Sequence, residues 1–232
     1  MPGDSPRPTS EGDSPRPTSD DETDADAGAA IGGSATGTAA TAGGLPSVRR
    51  PSVRRLLVRS RPRFWLYLGG PALVGAVWGA RTTGAVLDPL VLALVAYFLV
   101  PANVFLYGVN DVFDADVDRH NPKKADSGRE VRFESGRDAG HTVAVGIAGL
   151  VAVPLVVALP PVGIAALLGF LALAVEYSAP PLRFKTTPLL DSVSNGLYVL
   201  PGVVAYAAVA GHSPPLLAIL GGWLWTMAMH TY

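Results

Sequence analysis

Apolar residues in this chain come in long unbroken runs rather than in alternating or two-faced patterns. Six runs stand out, at roughly 64 to 80, 89 to 109, 142 to 159, 161 to 178, 189 to 210 and 215 to 231. Each is close to the ~17 to 25 residues that a helix needs to cross a bilayer. A helix that is apolar all round belongs in lipid or among other helices. Pro-Pro pairs at 160–161, 180–181 and 214–215, with Gly84, Gly140 and Gly211, mark the ends of the runs. Proline lacks the amide that a continuing helix requires, and glycine frees the backbone to turn. The pattern predicts an all-α fold, a polytopic bundle of transmembrane helices.

Ahead of the first run the pattern disappears. Residues 1–55 are rich in Pro, Ser, Thr, Gly, Asp and Ala, with tandem copies of GDSPRPTS from Gly3 and Gly12 and of PSVRR from Pro46 and Pro51. Such a segment cannot bury enough apolar surface to offset the entropy of ordering it. Residues 1–55 therefore read as a disordered low-complexity tail and 56–232 as the membrane domain. The tail begins acidic and has no apolar core before Leu45, so the first membrane helix is expected to direct insertion itself.

Composition supports the membrane reading, with 49% hydrophobic and 16% charged residues and a mean hydropathy of +0.31. The absence of cysteine removes disulfides, thiolate catalysis and thiolate-bound metal, and leaves metal chemistry to carboxylates. The net charge of −1 hides a strong segregation: 17 of the 18 Lys and Arg residues lie ahead of the first run, in loop 110–141 or in loop 179–188, and only Arg81 lies on the other set of connections. By the positive-inside rule the N-terminus and both long loops face the cytoplasm, in a multi-pass protein of the cell membrane. Arg61 and Arg63, just ahead of Phe64 and Trp65, are expected to anchor to lipid headgroups. Nothing in the balance of charge points to nucleic acid.

Polar chemistry gathers where the second run ends. If the helix continues, Asn103, Tyr107, Asn110, Asp111, Asp114 and Asp118 share an arc of roughly 100°, with Asp116 on the far side. Carboxylates stacked three and four apart repel one another, and each costs up to roughly 2.5 to 3.5 kcal/mol at mid-membrane depth. A positive partner is required. Mg²⁺ suits, because it takes oxygen ligands and is usually held by one or two carboxylates plus substrate phosphates. Asp111, Asp114 and Asp118 are the candidate metal ligands, and the implied ligand is a diphosphate. The fourth run leads into a loop in which Arg183 and Lys185 are fixed near the bilayer by prolines; Arg as a fork and Lys as a point charge can face that diphosphate. Asp191, Asn195 and Tyr198 form a second polar stripe at i, i+4 and i+7. Glu176 and the histidines His120, His141, His212 and His230 have no metal-ligand spacing and are expected at the interface.

The motif Asn110-Asp111-x-x-Asp114-x-x-x-Asp118, followed by Tyr177 and Arg183-x-Lys185, resembles that of the UbiA-type intramembrane aromatic prenyltransferase superfamily. The strings from Ser60 to Tyr67, Tyr107 to Asp118 and Tyr177 to Pro188 look like its haloarchaeal lycopene elongase/hydratase branch, and the likeness covers about residues 56 to 232. The resemblance implies Mg²⁺-dependent transfer of a C5 dimethylallyl group from its diphosphate to the ends of lycopene. Hydration of the terminal double bond would follow, on the route to bacterioruberin. It also implies catalytic roles for Asn110, Asp111, Asp114 and Asp118, and substrate contacts for Asn103, Tyr107, Tyr177, Arg183, Lys185, Asp191 and Asn195. The family has nine helices and a second aspartate-rich loop after the sixth. This chain stops at Tyr232, so about six of nine helices and a C-terminally incomplete copy are expected.

The acceptor comes from resemblance alone. Residue chemistry argues for the first half, in which Mg²⁺ and cations stabilise departing diphosphate and an allylic carbocation is left in a dry, apolar cavity. Two alternatives stay open: the same chemistry on an ether-lipid or quinone precursor, and a non-catalytic membrane protein that binds divalent cation or diphosphate.

Overall fold

The structure, a computed structural model, describes residues 52–115 and 139–231. Residues 1–51 of the expected tail, and Asp116, Asp118 and His120, lie outside the described residues. Every regular element among the described residues is helical. Helix α1 (Val53–Arg59) begins inside the segment assigned to the tail, where the Ser52 hydroxyl accepts from the Arg55 amide. A 3₁₀ turn over Pro62–Phe64 leads into α2 (Trp65–Gly79), and a short α3 (Thr83–Val86) joins it to α4 (Pro89–Leu99) and α5 (Pro101–Phe113). Then come α6 (Ala139–Leu150), α7 (Ala152–Ala158), α8 (Pro161–Glu176), α9 (Pro188–Ser194), α10 (Leu200–Ala210) and α11 (Leu216–Thr231).

These helices take up the six apolar runs: α2, α4 with α5, α6 with α7, α8, α9 with α10, and α11. Pro89–Phe113, Ala139–Ala158 and Pro188–Ala210 are 25, 20 and 23 residues long and apolar enough to cross a membrane. Pro161–Glu176 and Leu216–His230 are shorter apolar helices, and α2 has 15 residues. Their outer faces are those of a membrane protein. Leu66, Val157 and Leu217 are 73%, 83% and 83% exposed, an arrangement that lipid accepts and water does not.

Proline accounts for the break within the second pass. Pro101 has no amide to donate, and Val100 leaves helical geometry at φ −123°, ψ −64°. The Asn103 side chain repairs the gap by donating to the carbonyls of Phe98 and Leu99 at 2.8 and 3.0 Å. Small residues bring the helices together. A Cβ placed on Gly75 of α2 would lie 2.1 Å from the Gly202 carbonyl oxygen of α10, so the two backbones touch where neither carries a side chain. In lipid, such close packing replaces the hydrophobic effect as the source of helix association. Leu68, Ala72, Leu94, Phe98, Leu167, Phe170 and Val204 fill the common core, and Phe98 meets Phe170 edge to face at 5.4 Å.

Within the acidic motif α5 ends at Phe113, and Asp114 is its C-cap at φ −99°, ψ 2°; the motif beyond Ala115 lies outside the described residues. The C-terminal end of a helix carries partial negative charge, so further carboxylates are poorly tolerated there unless cations cover the end.

Candidate functional site

Cations do cover that end, and they come from two loops. In the first, Arg61 holds a left-handed backbone at φ 51°, ψ 72° and opens the 3₁₀ turn before α2. Its guanidinium lies 3.6 Å from Asp111 Oδ1 and 4.7 Å from the centroid of the Tyr107 ring. In the second, Arg183 is also left-handed, at φ 43°, ψ 59°, and opens the 3₁₀ turn Phe184–Thr186. Its Nη2 donates at 3.2 Å both to Asp114 Oδ1 and to the Phe113 carbonyl, the last of α5. Lys185 Nζ is bonded to the same Asp114 oxygen and donates to Asn110 Oδ1 at 3.3 Å. Ser178 Oγ adds a 3.0 Å bond to that amide oxygen.

The structure therefore brings together Asn110, Asp111, Asp114, Arg183 and Lys185 as the spacing suggested. Arg61, expected at the lipid headgroups, belongs to this cluster instead, and Ser178 joins it. Asn103 makes no bond to it: it is fully buried, its Nδ2 is committed to the break between α4 and α5, and its Oδ1 has no partner among the described residues. Asp118 lies outside the described residues.

Aromatic rings and the second stripe lie beside the cluster. Tyr107 is hydrogen-bonded to Tyr198, and Phe64 stacks on Tyr67 at 5.3 Å. The Tyr177 hydroxyl is turned towards Asp191; burial, reinforced by that carboxylate, pushes its phenol up, so it remains a neutral donor. Asn195 donates to the Asp191 backbone carbonyl at 2.6 Å. Two histidines have a contact or a burial that spacing did not show. His230 Nε2 meets Asp191 Oδ2 at 2.8 Å, and His141 is buried in α6. The signal for His230 was its place at the end of the last apolar run, but only the fold brings it to Asp191.

Below the tyrosines opens a cavity of about 840 Å³ between α2, α10 and α11. Tyr67, Asn195, Tyr198 and His230 line one end, and Trp78 and Tyr206 line the other. The charged cluster does not itself line this chamber; Tyr198, bonded to Tyr107, and Tyr67, stacked on Phe64, connect the two, and the chamber is large enough for a substantial hydrocarbon.

Comparison with known proteins places this arrangement. Residues 68–232 match the UbiA prenyltransferase family. The chain belongs to the UbiA prenyltransferase family. It is 59% identical over 177 residues to a lycopene elongase/hydratase of Haloarcula japonica and 62% identical over 177 residues to one of Haloferax volcanii. Those alignments take in 76% of this chain but only 59% and 58% of the relatives, so the chain spans less than two thirds of their length. The structure of a UbiA homologue from Archaeoglobus fulgidus bound to DMAPP and Mg²⁺ has the same fold, with a TM-score of 0.60 at 23% identity, over 76% of this chain and 61% of that one. A second structure of a UbiA homologue from that organism, bound to GPP and Mg²⁺, aligns with a TM-score of 0.60 at 21% identity over the same shares of the two chains.

The UbiA-type end of α5 can be tested for its fit to a magnesium diphosphate. Among the described residues two carboxylates, Asp111 and Asp114, are faced by Arg61, Arg183 and Lys185, which leaves cationic charge in excess. The Arg183 Nε is buried and has no hydrogen-bond partner among the described residues, an open donor where an anion can bind. No cluster of three or more acidic, His or Cys side chains forms a metal cage among the described residues. That suits Mg²⁺, which needs only one or two protein carboxylates when phosphate oxygens complete its shell. Donor type and charge fit the group.

Proposed function

We propose that this protein is a Mg²⁺-dependent intramembrane prenyltransferase that moves a C5 dimethylallyl group from its diphosphate to lycopene, with hydration of the terminal double bond. One observation carries the reading: a carboxylate pair at a helix end, covered by three cations from two loops, is joined through the Tyr107–Tyr198 hydrogen bond to the lining of an apolar cavity. The 59–62% identity to lycopene elongase/hydratases supports the choice of acceptor.

In this reading Asp111 and Asp114, with Asp118, would hold Mg²⁺. When bound, the metal supplies charge neutralisation for the departing diphosphate. Arg183 and Lys185 turn from Asp114 to the diphosphate oxygens, the first through a bidentate fork and the second as a point charge. Asn110 keeps Lys185 in place through its 3.3 Å contact. Arg61 neutralises Asp111 from the membrane side and is braced against the Tyr107 face. The Tyr67 and Tyr198 rings stand at the near end of the cavity, where their π-faces favour the allylic cation, and the apolar walls keep bulk water from it. The acceptor reaches the chamber from the lipid. The cation cluster lies at the cytoplasmic face of the cell membrane, as the distribution of Lys and Arg implies.

Membranes containing the protein, supplied with labelled dimethylallyl diphosphate and Mg²⁺, test the reading. Label is expected in a carotenoid when lycopene is the acceptor. Label in an ether-lipid or quinone precursor instead, with none in carotenoid, overturns the assignment of lycopene.

A further inference from the structure

Asp191 of α9 and His230 of α11 form a contact of their own, and the departure of diphosphate as described above makes no use of it. Their placement is nonetheless closely determined. Ser194 Oγ and Asn195 Nδ2 donate to the Asp191 backbone carbonyl at 2.9 and 2.6 Å, and the Tyr177 hydroxyl is turned towards its carboxylate. Trp223 Nε1 donates to the Val193 carbonyl at 2.8 Å and ties α11, which carries His230, to α9, which carries Asp191. The carboxylate Oδ1 is buried and makes no hydrogen bond of good geometry, so Oδ2 alone engages the imidazole.

That contact determines which ring nitrogen is basic. With Nε2–H donating to Asp191, the neutral ring carries its lone pair on Nδ1, for which the structure shows no partner among the described residues. His230 lines the apolar cavity, and its side chain is 36% exposed at the C-terminal end of α11, so the ring is open both to the chamber and to the surroundings of that helix end. An imidazole oriented by a carboxylate at such a boundary has the arrangement of a general base.

Prenyl transfer to an alkene creates the need for one. The alkene gives both π electrons to the new C–C bond while the C–O bond of the diphosphate ester breaks and the diphosphate keeps that pair. The other alkene carbon becomes a tertiary carbocation. It is closed either by loss of a proton, restoring an alkene, or by a water oxygen, which must then lose a proton. We propose that His230, positioned by Asp191, is the base that accepts the proton of that water at Nδ1 and so commits the cation to hydration. One C–O bond forms, one O–H bond breaks, and no oxidant or reductant is needed. The inference rests on the prenyl-transfer reading above.

The test measures a product ratio. Membranes carrying the His230→Ala or Asp191→Asn protein receive labelled dimethylallyl diphosphate, Mg²⁺ and lycopene, and hydroxylated and dehydrated elongated products are separated. The ratio of hydroxylated to dehydrated product is expected to fall at least about tenfold in H230A and by a smaller factor in D191N, in keeping with the ~10² to 10⁴ that a positioned base contributes. Imidazole added to H230A membranes restores part of the ratio, which replacing a merely structural contact would not do. An unchanged ratio in H230A with C5 addition intact overturns the assignment and leaves prenyl transfer standing. Absence of any elongated product from the unsubstituted protein overturns both. Should H230A yield no product at all, recovery of hydroxylated product with imidazole supports the inference and no recovery overturns it.

Discussion

The two arginine turns that close on α5 are built alike and loaded differently. Arg61 and Arg183 both adopt left-handed backbone, at φ 51° and 43°, each opens a 3₁₀ turn, and each meets one carboxylate of the same helix end. A non-glycine residue there costs roughly 1 to 2 kcal/mol, and such strain persists only where surrounding contacts over-determine it. The loads differ. Asp111, its side chain 9% exposed, has Arg61 against it and the Tyr107 ring beyond. Asp114, 17% exposed, shares Arg183 and Lys185. The first limb is a drier contact in which Arg61 is also held against a ring; the second is a redundant pair whose members can turn to a ligand without stranding the carboxylate. The difference teaches where charge is structural and where it is available for chemistry.

Substitutions can break that contrast, and the largest effect belongs to the first limb. Asp111→Ala leaves Arg61 without its carboxylate in a partly buried setting, an imbalance that costs about 3 kcal/mol and removes a metal ligand. Labelled C5 incorporation is expected to fall roughly 100-fold or more, with a lower unfolding temperature in detergent. On the second limb, Lys185→Ala and Arg183→Ala are each expected to weaken diphosphate binding by roughly tenfold, since one cation remains on Asp114. The double substitution should depart from the product of the two, because both share one carboxylate. Equal and strictly independent losses on both limbs would contradict the proposed redundancy.

Smaller changes sharpen the comparison. Arg61→Lys keeps the charge but loses the planar group over Tyr107, a change worth about 0.5 to 1 kcal/mol; titration of ligand binding should register a loss of a few-fold. Gly75→Val touches neither limb. It forces side-chain atoms onto the Gly202 carbonyl and should lower stability by roughly 1 to 3 kcal/mol, read by thermal unfolding. The relative effects of the two limbs should remain unchanged in that background.

Much of this was legible in the sequence, and the exceptions share a cause. The passes can be read because lipid demands uninterrupted apolar runs, and Asp111, Asp114, Arg183 and Lys185 can be read because like charges at that spacing need compensation. Asn103 shares the unbroken α5 with Asp111 but lies about two turns away from it, beside Pro101, and its Nδ2 serves the break there, a use that spacing alone does not show. Arg61 looks like a lipid anchor because every juxtamembrane arginine does; only the left-handed turn before α2 points it at Asp111. His230 and Asp191 lie on helices whose packing no local pattern encodes, so their contact is a fact of tertiary structure alone.

The central claim is that the acidic end of α5 binds an isoprenoid diphosphate through Mg²⁺. It is tested most directly by titrating detergent-solubilised protein with labelled dimethylallyl diphosphate, with Mg²⁺ and then with excess chelator. The account predicts saturable binding that is lost on chelation and lost again with metal present in Asp111→Asn and Asp114→Asn. Binding that survives both the chelator and the two substitutions would contradict it.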